Sequence, residues 1–403
     1  MFRENEGFFS LDNRGGFVKR FMRVGHIPPQ DGGTRRSARF STLSVIAFFC
    51  LHILRSTFCL AQIPASREAI KLGPVELSGA MDAYYSWNAN RPADGINGLH
   101  NFDVYNFSPR LNMAELGLSM DPSPFGFELD AGYGDIYKII DSGEPDSPLR
   151  NVLQAFVSYK AKSLHNLQID AGKFQTSAGV ESAETISGWN YSRSLLFVYA
   201  QPNYHIGLRS NLEVNRHIEL GLQLVNGWNR FLDGNGMKTV AVTSAIKYDH
   251  WTLYQDYYYG PERVGAQFYP RGLYDTTLIA TLFHNLKADI NFDTGYQRKS
   301  AQTDTWHGVA GSLEWAPYKH LAFSPRYEWF HDVEGYTTGT PQRVEEVTLT
   351  GDYIIAKGFV SRFECRRDMS DEAVFQRSAR QAPANQQTTF LVSLIVNFGS
   401  LGR

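Results

Sequence analysis

The chain is predicted to be all-β: a transmembrane antiparallel up-and-down β-barrel of about sixteen strands, with short periplasmic turns and long external loops. Three observations predict it. Apolar and polar residues alternate one by one in long runs from residue 75 onward. The connections between runs are alternately short and long. After residue 61 nothing approaches the eighteen or so unbroken apolar residues of a membrane helix, although 14% of the chain is aromatic.

The alternation is clearest in Val75, Leu77, Gly79, Met81, Ala83, Tyr85 and Trp87, interleaved with Glu76, Ser78, Ala80, Asp82, Tyr84, Ser86 and Asn88. Successive strand side chains point to opposite faces, so this run has one apolar and one polar face. Leu286, Ala288, Ile290 and Phe292 repeat the pattern against Lys287, Asp289, Asn291 and Asp293. Sixteen runs follow: 75–89, 109–121, 124–135, 149–160, 166–175, 203–214, 217–227, 238–249, 251–260, 273–284, 286–298, 306–316, 319–332, 344–355, 357–369 and 387–398. A tilted strand needs about nine to eleven residues to cross the hydrocarbon. The phase of 251–260 and 273–284 is ambiguous, and 194–200 offers an extra run, so fourteen or eighteen strands are the alternatives.

Short joints are read at 121–124, 162–166, 215–216, His250, Asn285, 317–318 and Ala356. Long connections are read at 90–108, 136–148, 176–202, 228–237, 261–272, 299–305, 333–343 and 370–386. Segregating loop lengths by end is the plan of outer-membrane barrels. Closure also suits lipid, because hydrocarbon offers no partner to an open sheet edge. Tyr85, Trp87, Tyr133, Tyr159, Trp315, Tyr327 and Trp329 lie near run ends on the outward phase, as interface girdles do. The last run carries Phe390, Val392, Leu394, Val396 and Phe398 on one face, the ending that barrel assembly machinery engages, with a tail at 399–403.

Ahead of the barrel (75–398), residues 35–61 read as a secretory leader. Arg35, Arg36 and Arg39 precede the apolar stretch 43–53, and cleavage is expected after Ala61. Residues 1–34 are a polar extension, with Met22 as an alternative start, and 62–74 form a periplasmic N-terminal segment. Cys50 and Cys59 fall in the leader, so the mature chain keeps Cys365 alone and has no disulfide framework. A net charge of −2 and the absence of a basic tract argue against a nucleic-acid partner. The eleven histidines show no HExxH spacing, and no G-x-S-x-G or Walker-type loop appears. The stretch 233–236 lacks the full Ca²⁺-loop signature and reads as a turn. No catalytic residue, metal site or cofactor is predicted.

Several segments resemble the OmpL-like β-barrel porin family of bacterial outer membranes. They are 77–88 (LSGAMDAYYSWN), 107–110 (FSPR), 114–127 (AELGLSMDPSPFGF), 189–197 (WNYSRSLLF), 226–229 (NGWN) and 327–330 (YEWF). The resemblance runs from about residue 75 to the C-terminus. It implies a channel for small solutes and brings no catalytic residues.

A pore needs a polar lumen and a constriction. Inward-phase charges are Asp82, Arg110, Glu115, Glu128, Asp130, Asp170, Arg209, Glu213, Arg326, Glu328, Arg362, Glu364 and Arg366. Both signs together make a wet lumen with a transverse field. The loop 176–202 is expected to fold inward and narrow the pore, with Glu181, Glu184 and Arg193, and Lys173 at its base, at the constriction. The opposing reading has this loop capping the mouth from outside. The expected partners are the outer-membrane bilayer, small hydrophilic solutes and the barrel assembly machinery, and porins of this size often form homo-oligomers. A barrel enzyme of lipase or protease type and a plugged structural or adhesive barrel are the rival functions.

Overall fold

A computed structural model describes residues 69–142, 147–234 and 236–399. The leader expected at 35–61, the extension 1–34 and most of the C-terminal tail lie outside the described residues. The sheet comprises β1 (Ile70–Leu72), β2 (Val75–Asn88), β3 (Arg110–Met120), β4 (Phe125–Tyr133), β5 (Val152–Ala161), β6 (Leu167–Gln175), β7 (Tyr204–Asn215), β8 (Ile218–Val225) and β9 (Thr239–Tyr248). It continues through β10 (Trp251–Val264), β11 (Gln267–Phe283), β12 (Leu286–Arg298), β13 (Thr303–Tyr318), β14 (Leu321–Asp332), β15 (Gln342–Ala356), β16 (Phe359–Ser370) and β17 (Gln386–Phe398). Each strand from β2 to β16 pairs antiparallel with the next, and β17 returns to β2, with Phe398 opposite Gly79 and Thr389 opposite Asn88. Sixteen strands therefore form a closed ring.

Alternation decides the two faces. On β17, Leu394 is 50% exposed to the outside while its neighbours Ser393 and Ile395 are 2% and 1% exposed. The same outward set includes Leu116, Val157, Ile290, Leu349 and Tyr353. These side chains meet lipid rather than water, so their exposure is what a spanning strand requires. Among the described residues no helix is long and apolar enough to cross a membrane. Tyr133, Tyr159, Trp315 and Tyr327 lie on the outer surface as expected.

The inner face is less uniformly polar than the alternation suggests. Phe102, Met113, Ile136, Tyr137, Phe197 and Tyr204 form one apolar cluster inside the ring. Leu195, Leu196, Trp306, Phe330 and Val344 form a second. Both include residues of long loops, so these clusters bury connections folded into the cylinder. The short helix α1 (Asp135–Ile140) belongs to the first.

Two readings need correction. The connection placed at 261–272 is strand: β10 and β11 run on to a two-residue turn, pairing Val264 with Gln267. Pro261 and Pro270 face each other in this hairpin. β9 reaches only Tyr259 of β10 and β12 only Arg271 of β11, so neither proline removes a ladder hydrogen bond. The stretch 194–200 supplies no strand, since Leu196–Ala200 is a helical turn inside the barrel. Within the segment 62–74, Gly73, at φ 68°, turns β1 back so that Ile70 faces Leu77.

Candidate pore constriction

The connection between β6 and β7 enters the cylinder and is held there by its own backbone. Glu364 on β16 accepts from the amides of Tyr191 (2.6 Å) and Ser192 (3.0 Å). Glu328 on β14 accepts from the amide of Leu195 at 2.7 Å. Arginines take the carbonyls: Arg326 donates to Ser192 O (2.8 Å), Arg362 to Thr185 O (3.1 Å) and Asn190 O (3.0 Å), and Arg366 to Arg193 O (2.8 Å). A hydrogen bond to a charged group contributes about 1.5–3 kcal/mol, so this set is enough to fix the loop. Strands β2 and β12, which flank the clamp in the ring, contribute side-chain contacts. Asp82 accepts from Thr185 Oγ1 (2.6 Å) and Tyr191 OH (2.9 Å), and Gln201 donates to Asp293 (2.7 Å) and Asn291 (2.9 Å).

The four residues predicted for the constriction are not gathered at one aperture. Glu181 bonds Arg326 (2.9 Å) and the Ser194 amide (2.7 Å). Arg193 is buried, donating to the carbonyls of Ser182, Tyr191 and Ala183, and so fixes the shape of the loop from within. Glu184 is buried beside the wall and accepts from Gln175 at 2.6 Å. Lys173 stands apart. It pairs with Asp141 at 3.0 Å and lies over the Tyr204 ring, joining β6 to the connection that carries α1.

The predicted lumen charges all come from the inward phase, and most are already satisfied. Arg110 forms a two-pronged pair with Asp135 at 2.6 Å. Asp170 takes Ser158 and Arg209 (both 2.7 Å), and the Arg209 guanidinium lies over Phe156 and Phe174. Arg326 meets Glu328 and Glu346 at 3.1 Å, Arg362 meets Asp352 at 2.7 Å, and Arg366 meets Asp368 at 2.8 Å. Glu115 accepts from Tyr137 of α1, Asp130 accepts from Gln154 at 2.9 Å, and Glu128 is buried on the same wall. Glu213, by contrast, keeps much of its surface at the periplasmic end, near Lys160.

Sequence reading missed a row of aspartates. Asp256, Asp275 and Asp293 stand directly opposite one another across β10, β11 and β12. All three are buried, and among the described residues none has a cationic side chain in ion-pair contact. The inward phase of Asp293 was readable from alternation, whereas Asp256 and Asp275 lie in the two runs of ambiguous phase, and the juxtaposition depends on strand stagger.

A closed sixteen-stranded cylinder with a lipid-facing exterior, a charged interior and a loop folded inside defines a porin-type barrel of the bacterial outer membrane. The chain belongs to the family described as "Putative beta-barrel porin-2, OmpL-like", whose model matches residues 74–398. Solved structures share the architecture. The anion-selective porin from Comamonas acidovorans superposes with a TM-score of 0.59 at 11% identity, covering 80% of this chain and 99% of that one. The outer-membrane channel DcaP of Acinetobacter baumannii gives 0.56 at 9%, covering 84% and 100%. OmpT of Vibrio cholerae gives 0.54 at 9%, covering 82% and 99%. At these identities the similarity is one of fold. No curated protein matches the chain by sequence.

Proposed function

We propose that the mature chain is a passive channel for small hydrophilic solutes, without enzymatic activity, narrowed at mid-barrel by the loop 176–202. The observation that supports this is the clamp on the loop backbone by Arg326, Arg362, Arg366, Glu328 and Glu364, which holds the loop inside the closed wall. Glu181, Glu184 and Arg193 act in it by holding the loop, and Lys173 by tying β6 at its base to the connection that carries α1. Export through the leader at 35–61 and insertion by the barrel assembly machinery complete the reading. A homo-trimer is the proposed assembly, by analogy with the Vibrio cholerae OmpT described in trimer form. Planar-bilayer recording of refolded protein tests the reading: stepwise ohmic conductance is expected.

One observation favours a second reading. The lumen charges at loop level are almost entirely buried, as in a plugged structural barrel. A folded barrel that gives no conductance steps would establish the plug and reject the channel.

A further inference from the structure

Where the loop 176–202 meets β14, β15 and β16, acids and arginines alternate and neutralise one another. At its other seam, against β3 and β4, acid meets acid. Glu115 of β3, Asp130 of β4 and Glu184 of the loop each bring a carboxylate oxygen to within 4.8 Å of the other two. All three side chains are more than nine-tenths buried. Among the described residues no Lys, Arg or His forms an ion pair with any of them.

A second observation concerns what these carboxylates lack. Each has one oxygen held by a neutral donor: Tyr137 OH for Glu115, Gln154 Nε2 for Asp130, and Gln175 Nε2 for Glu184. The other oxygen of each, Glu115 Oε1, Asp130 Oδ1 and Glu184 Oε2, is shut off from solvent and has no hydrogen-bond partner. Buried polar atoms are nearly always satisfied, so three orphaned acceptors in one place require an explanation. Charged groups taken out of water also need a counter-charge. Neutral donors bonded to ligand carboxylates are the outer-shell arrangement that orients metal ligands.

We infer that Glu115, Asp130 and Glu184 form a site for one hard divalent cation, Ca²⁺ in preference to Mg²⁺, at the seam between the barrel wall and the inserted loop. All-oxygen, all-carboxylate donors select a hard ion. The donors come from three separate segments with no octahedral frame, which suits the flexible coordination of Ca²⁺ better than the strict geometry of Mg²⁺. A bound ion joins the loop to β3 and β4, on the side where the arginine clamp is absent. Nothing in this inference depends on whether the barrel conducts.

The test uses the mature barrel refolded in detergent and stripped with EDTA, with Tb³⁺ as probe. Tyr137, bonded to Glu115, is placed to sensitise its emission. Saturable emission at one Tb³⁺ per chain is expected, displaced by Ca²⁺ at lower concentration than by Mg²⁺. Asp130→Asn and Glu184→Gln, made separately, each weaken binding more than about tenfold, whereas Glu213→Gln leaves it unchanged. Heat-modifiable gel migration verifies that each variant is folded, and either variant alone suffices. In folded barrels, absence of saturable emission, or emission that survives both substitutions, overturns the site and leaves proton uptake as the source of neutrality. Conductance steps from the same preparation judge the channel separately.

Discussion

Asp275 and Asp293 face each other across β11 and β12, and the side-chain amide of Gln201 donates to both, at 3.5 and 2.7 Å. A residue at the exit of the inserted loop is thereby tied to two acids that, among the described residues, have no cationic side chain in ion-pair contact. With Asp256 in the same row, they set three carboxyl groups without an ion-paired cation, among the described residues, along one wall, while the inward-facing Arg326, Arg362 and Arg366 are paired. The expected result is a preference for cations. In a KCl gradient the reversal potential should report K⁺ permeating better than Cl⁻. The triple change Asp256→Asn, Asp275→Asn and Asp293→Asn should reduce that preference several-fold. An unchanged reversal potential would count against the row.

Arg326 contacts Glu181, Glu328, Glu346 and the Ser192 carbonyl from a buried position. Removing one partner of a buried ionic network costs about 3–5 kcal/mol, because the remaining charges are left uncompensated. Arg326→Met should therefore lower the temperature at which the detergent-solubilised barrel loses its folded gel migration. The loop should also become a better protease substrate. Equal stability of variant and parent would exclude the clamp.

The loop between β2 and β3 is docked by His100, which contacts Asp103 at 2.6 Å and Asp368 at 3.1 Å. Burial pulls the imidazole pKa down and Arg366 adds to that, but Asp103 and Asp368 outweigh both and raise it to about 9. Burial likewise pushes Asp103 up, and His100 more than reverses it, leaving that carboxyl below its usual range. A base with a raised folded pKa contributes fully below its free value of about 6.5 and loses the contribution as pH rises through 9. The lowered Asp103 contributes above the ordinary carboxylate range and fails only in stronger acid. The protection of amides in 90–108, corrected for the base catalysis of intrinsic exchange, should fall above pH ~9, and in His100→Gln that pH-dependent fall should be absent.

Gly172 sits at φ 145°, where a Cβ would lie 2.1 Å from the carbonyl oxygen of Ala155 on the neighbouring strand. Backbone cannot move aside as a side chain can. Gly172→Ala should cost about 1–3 kcal/mol and reduce refolding yield. Gly311→Ala is the control, because the Cβ there meets only Asp289 O at 3.8 Å. Similar yields for both would show that the wall yields at 172.

Much of the barrel was legible because lipid outside and polar groups inside are written residue by residue, as in Val392, Ser393 and Leu394. Most turns on the short side fell within a residue or two, the β13–β14 turn coming at 319–320 rather than 317–318. The hairpin beyond Tyr259 was not legible: Gly260, Pro261, Pro270 and Gly272 are breakers in a paired sheet, but not where neighbouring strands have ended. The interior was half legible. Phase alone placed Arg326 and Glu364 inside. That Glu115, Asp130 and Glu184 converge follows from strand stagger and a loop that doubles inward, neither of which leaves local spacing to read.

The wall grips the inserted segment through peptide groups at Thr185, Asn190, Tyr191, Ser192, Arg193 and Leu195. Every amino acid except proline offers those same groups. Positions of the segment whose side chains take no part in the grip, such as Gly188, can thus change while its path is retained, so the passage can be retuned without a new scaffold.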